Sequence, residues 1–158
     1  MAKVCKNMKE LEKELMNLIN ESLLDDVAPV VKNAMLYHIE KDVYSPEVYT
    51  PETYSRRGKN GGFADPENII VTPEYDGCVS VSNQTLGREF YYQGGEPIRS
   101  DNANKPIAEI IETGDGYDYW KHSFPRPFMK NTVEHLKEEH LLEKVLKDSL
   151  KKQGLEVK

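Results

Sequence analysis

Two cysteines in 158 residues, Cys5 and Cys78, are too few and too far apart for a disulfide framework, and they match no CxxC or other metal-ligand spacing. They read as free thiols of a reducing compartment. No apolar run approaches the roughly 18–20 residues a membrane span needs, so no membrane partner is expected. The opening MAKVCKNMKELEKEL is charged throughout and lacks the apolar stretch of a secretory signal, which points to a chain that starts in a cytoplasm. Apolar side chains are scarce too. They make up 38% with Tyr included, and about 39% when Gly is counted in place of Tyr, against roughly 45–50% in ordinary globular chains. Charged residues reach 30%. The length suits one domain, taken as 1–158, but the surplus of wettable surface points to long solvated helices or an elongated shape.

Catalytic signatures are missing as well. There is no GxxxxGK[ST] or GxGxxG loop to cradle a phosphate and no GxSxG nucleophile turn. Asp101 and Glu112 have the end-to-end spacing of a calcium loop, but Ala103 and Lys105 stand where oxygen ligands belong. His135 and His140 are five apart, about 140° around a helix, so they do not share an ion as an HExxH pair would. No catalytic, cofactor-binding or metal residue is assigned, no cofactor is expected, and the chain reads as a non-enzyme.

What is present is charge, unevenly spread. The net charge is −6, and residues 42–120 hold fourteen acidic against six basic side chains, for −8. An acidic middle repels phosphate, which disfavours sequence-specific nucleic-acid binding.

Periodic apolar residues are present too. Val4, Met8, Leu11, Leu15, Leu18, Ile19 and Leu23 recur at spacings of three and four, and the phase continues through Val27, Val31, Ala34, Met35 and Ile39. This predicts one long helix over 5–42, roughly 55 Å if continuous, kinked or briefly broken near Leu24–Ala28 by Pro29, with Asp25 and Asp26 placed to cap a restart. Residues 43–66 form a Tyr/Pro arm, Tyr44-Ser-Pro-Glu-Val-Tyr49-Thr-Pro-Glu-Thr-Tyr54, followed by the basic, Gly-rich Arg56-Arg57-Gly58-Lys59-Asn60-Gly61-Gly62. An antiparallel sheet of three to four strands is expected over 67–113. It starts with a hairpin of 68–72 and 78–82 about Asp76-Gly77, adds Phe90–Tyr92, and ends in a strand at Ile107–Glu112. A linker, Tyr117 to Pro125, leads into C-terminal helices over 126–153. Their apolar phase slips near Glu139–His140, and Gln153-Gly154 reads as the final cap. The fold class is α+β.

This order of long helix, aromatic arm, RRGKNGGFAD turn, hairpin, Ile110-Ile111-Glu112-Thr113-Gly114 and Pro125-Arg126-Pro127-Phe128-Met129 resembles the head–tail joining, or tail-completion, proteins of long-tailed bacteriophages, also known as minor tail components. In that family an apolar-Glu-x-Gly segment precedes a loop and a Pro-Phe helix start. The resemblance implies a virion protein, made in the host cytoplasm, that forms a homo-oligomeric ring in the neck. Its partners would be a head-completion or adaptor protein on one side and a tail-tube or tail-terminator protein on the other, with DNA passing through the channel. Candidate interface residues are Tyr44, Tyr49 and Tyr54 on the arm, Arg56 and Arg57 at the turn, and Phe128, which is also a candidate for the core. Two other classes stand beside this one: a cytosolic self-assembling adaptor or inhibitor unrelated to phage, and an enzyme whose site is not linear in sequence.

Overall fold

A single helical run from Met8 to Val43 opens the computed structural model, which describes residues 6–45, 58, 61–87, 90–91, 97–98, 106–115 and 124–157. The run comprises α1 (Met8–Ser22), a π-helical turn at Leu23–Val27, α2 (Ala28–His38) and a second π turn at Ile39–Val43. The expected disturbance falls where Pro29 places it, as a wide turn and not as a break. Pro29 has no N–H to donate and its ring crowds the carbonyl four residues back. The π turn immediately before it closes through Ala28 N–H to Leu23 O and keeps the backbone helical throughout. No restart occurs, so Asp25 and Asp26 cap nothing; the residue before α2, Val27, makes no side-chain cap bond.

After a short 3₁₀ turn at Pro66–Asn68, strands β1 (Ile69–Tyr75) and β2 (Cys78–Asn83) pair antiparallel from Ile69↔Asn83 to Tyr75↔Cys78. The two-residue loop Asp76-Gly77 joins them. Gly77 at φ +77° supplies the left-handed geometry such a loop requires. Pro73 lies where the ladder register shifts, a place that tolerates a residue with no N–H.

The sheet proper stops at two strands, which corrects the expectation of three to four. Among the described residues β3 (Phe90–Tyr91) and β4 (Pro97–Ile98) pair with each other and not with the hairpin. The expected last strand is a helix, α3 (Ala108–Thr113). Its β-branched isoleucines suggest a strand, yet Ile107, Ile110 and Ile111 recur at i, i+3 and i+4. Gly114, at φ +76°, ends the helix by donating to Ile110 O at 2.8 Å.

The C-terminal region is two helices, α4 (Phe128–Glu138) and α5 (Leu141–Lys152), divided at His140, a non-glycine residue with φ +49°. The division matches the slip in apolar phase. α5 closes in a Schellman motif, with Leu155 N–H donating to Leu150 O and Gly154 N–H to Lys151 O.

Met35, Ile39 and Val43 from the long helix meet Tyr44, Phe63, Ala64, Ile69, Ile111 and Phe128 in one core. Phe63 and Phe128 pack edge to face with ring centroids 5.2 Å apart. The buried side chain of Asn83 ties the core to the segment before the hairpin by donating to Phe63 O at 2.7 Å.

Candidate assembly surface

The core covers only part of the long helix. Of α1, Ser22 alone is buried, while Met8, Leu11 and Leu15 remain 68%, 48% and 41% exposed. These three share a stripe with Leu18 and Ser22 at helical spacing, so the face that meets the core at one end continues past it at the other. The free end is nonetheless a finished helix. Asn7 Oδ1 accepts the Glu10 N–H at 3.0 Å, and Glu10 Oε2 accepts the Lys6 N–H at 2.7 Å. On the helical wheel Glu12 and Glu14 flank the stripe on its two sides, and Lys9 and Lys13 lie toward the back.

The other end of α1 is anchored twice. Asn20 grips the hairpin tip, donating to Asp76 Oδ1 at 3.1 Å and accepting the Gly77 N–H at 2.7 Å. Farther along, Ser149 of α5 donates to Asp26 in the π turn, and its oxygen lies 2.9 Å from Ser22 Oγ. Both serines are buried, so this contact joins the first and last helices through satisfied polar groups.

A second polar feature lies between α2 and α4. Buried His38 places Nδ1 2.9 Å from Asp42 Oδ2 and Nε2 3.2 Å from His135 Nδ1. Asn131 Nδ2 donates to the same Asp42 oxygen at 2.9 Å. The two imidazoles and Tyr37 form an edge-to-face cluster, with Lys41 Nζ 5.7 Å from the centre of the Tyr37 ring. An open cavity of about 410 Å³ lies over this seam, lined also by Glu134 and Glu138. Among the described residues no three His, Cys, Asp or Glu groups are gathered as metal ligands, and no helix is long and apolar enough to cross a membrane.

The two short motifs of the C-terminal half meet at one corner. Glu112 accepts the Met129 and Lys130 N–H groups at 2.8 and 3.0 Å, capping α4 from another element. Arg126 N–H donates to Ile111 O at 3.0 Å. A Cβ on Gly114 would stand 2.6 Å from the Phe124 carbonyl carbon and 2.7 Å from Pro125 N, so that position accepts no side chain.

Of the interface candidates named from sequence, Tyr44 and Phe128 pack inside the protein's own core. Tyr49, Tyr54, Arg56 and Arg57 lie outside the described residues, as do the other residues of 46–57 and the linker residues 117–123. Sequence reasoning did not single out Met8, Leu11 and Leu15 as surface. Their periodicity was legible, but the point at which the core ends was not. Nor did it pair His38 with His135, which lie 97 residues apart.

No solved structure matches this chain. Its sequence is 35% identical over 161 aligned positions to the SPbeta prophage-derived uncharacterized protein YomN of Bacillus subtilis (strain 168), with 98% of each chain covered. The YomN family matches residues 7–152, from the start of α1 to the end of α5. The long helix, the hairpin, the Glu112–Phe128 corner and the terminal helices thus all fall within one matched unit, and the chain belongs to the YomN family.

Proposed function

We propose that this chain is a structural, non-enzymatic bacteriophage virion protein, a subunit of a neck ring that joins the head-completion layer to the tail tube. One observation carries the reading. The apolar stripe of α1 runs beyond the protein's own core at Met8, Leu11 and Leu15, and an exposed stripe on a capped, well-formed helix is the surface a neighbouring subunit or virion layer would cover. The full-length similarity to a prophage-derived protein supports a phage origin. The resemblance of the Glu112–Gly114 and Pro125–Met129 motifs to tail-completion proteins supports the neck as the location. The protein is made in the host cytoplasm and ends in the virion.

The acidic stretch 42–120 suits a wall along which DNA slides, since it repels phosphate. Deleting the gene from its phage tests the reading. The expected result is filled heads and finished tails that accumulate unjoined, with joining restored by adding the purified protein. Normal infectious particles from the deletion would overturn it.

A further inference from the structure

We propose that the seam between α2 and α4 binds one divalent transition-metal ion of the zinc or nickel class, with His38 Nε2 and His135 Nδ1 as its protein ligands. The two nitrogens stand 3.2 Å apart. Two imidazole nitrogens, each about 2.0–2.1 Å from a tetrahedral zinc, are about 3.3 Å apart, so the present spacing already fits one shared ion.

The tautomer fits as well. Asp42 Oδ2 lies 2.9 Å from His38 Nδ1 and is held on its other side by Asn131. A carboxylate only accepts, so the proton of neutral His38 sits on Nδ1 and Nε2 presents its lone pair to His135. Carboxylate to imidazole to metal is the usual outer-shell arrangement of a histidine ligand, since it fixes the ring and raises its basicity.

The surroundings favour a cation. From α4, Glu134 and Glu138 line the cavity beside the imidazoles, and Glu139 Oε1 lies 3.6 Å from His135 Nε2. Facing them from the long helix are Tyr37 and one ammonium, Lys41, whose Nζ is 5.7 Å from the centre of the Tyr37 ring, while Asp42 stands behind His38 at its Nδ1. Two protein nitrogens leave the remaining coordination positions to water, since no third His, Cys, Asp or Glu among the described residues is gathered with them. The site is therefore a moderate-affinity clip between two helices and not a closed structural centre. Without the ion His135 Nδ1–H donates to His38 Nε2. Binding requires that proton to leave Nδ1, to solvent or to the ring's Nε2 that faces Glu139, and the ion then sits to one side of the line between the two nitrogens.

The test is titration of the full chain with Zn²⁺ and with Ni²⁺ by calorimetry, alongside thermal unfolding. The variants are His135→Gln, whose side chain is partly exposed, and Asp42→Asn. Circular dichroism establishes that both are folded. The expected result is one ion per chain, a Tm that rises with ion concentration, loss of binding in His135→Gln, and affinity weakened about 10- to 100-fold in Asp42→Asn. No uptake at millimolar ion, uptake that survives His135→Gln, or an unchanged affinity in Asp42→Asn overturns it. None of these results bears on ring assembly, so the two proposals fail separately.

Discussion

The carboxylate of Glu112, at the end of one short helix, caps the first turn of another by accepting the N–H of Met129 at 2.8 Å. Its second oxygen takes the N–H of Lys130. A helix start offers several unpaired donors and a partial positive charge, and one carboxylate satisfies both needs. Pro127, which precedes α4, brings no side-chain acceptor of its own. Glu112→Ala is therefore expected to cost about 1–2 kcal/mol in urea unfolding, in the range of lost helix caps. Glu112→Gln, which keeps one acceptor oxygen, should cost less.

Gly114 makes the sharpest prediction at the same corner. Its φ of +76° lies in the left-handed region, and an added methyl would press on the Phe124–Pro125 backbone. Gly114→Ala should lose more than about 1–2 kcal/mol, since conformational strain and a backbone clash add. A calorimetric Tm equal to that of the parent protein would remove this glycine from the account.

Phe128 contributes to the core through its ring. It is fully buried and meets Phe63 edge to face. Phe128→Ala should destabilise the fold by about 3–5 kcal/mol, the usual range for deleting a buried aromatic. Phe128→Leu should recover a large part of that loss. Equilibrium unfolding in urea measures both.

Near the surface of α5, Lys147 Nζ sits 2.9 Å from Glu143 Oε1. Its hydrogen bond and positive charge, the hydrogen bond first, hold the Glu143 carboxyl below the usual carboxylate range. A lowered carboxyl favours the folded state above its unfolded pKa, and the benefit disappears as pH falls through the folded value. Both side chains are exposed to solvent, so the effect on stability is small. Lys147→Ala should move the Glu143 titration upward in an NMR pH series, and added salt should shrink the difference.

Much of this fold is legible in the order of residues. The apolar spacing from Met8 to Ile39 gives the long helix, and Pro29 gives the position of its irregularity. Asp76-Gly77 gives the hairpin turn. The slip before Leu141 gives the division between the last two helices.

What stays hidden needs information from distant parts of the chain. Ile107–Glu112 combines β-branched residues with a helical spacing, and the cap at Gly114 decides for helix. Tyr44 looks like the first ring of an arm until its neighbours in the core are known. His38 and His135 meet only because α2 and α4 pack side by side. The stripe at Met8, Leu11 and Leu15 is plain in the periodicity, but its exposure follows from where the rest of the protein stops.

Assembly through that stripe is most directly tested by a phage carrying Leu11→Glu and Leu15→Glu together. Leu11 and Leu15 are about half exposed and lie outside the buried core, so the isolated variant should stay folded with only a modestly lowered Tm. In infected cells we expect the folded variant to be absent from purified virions by mass spectrometry, with heads and tails left apart in electron micrographs. Incorporation at wild-type levels into joined, infectious particles would contradict the account.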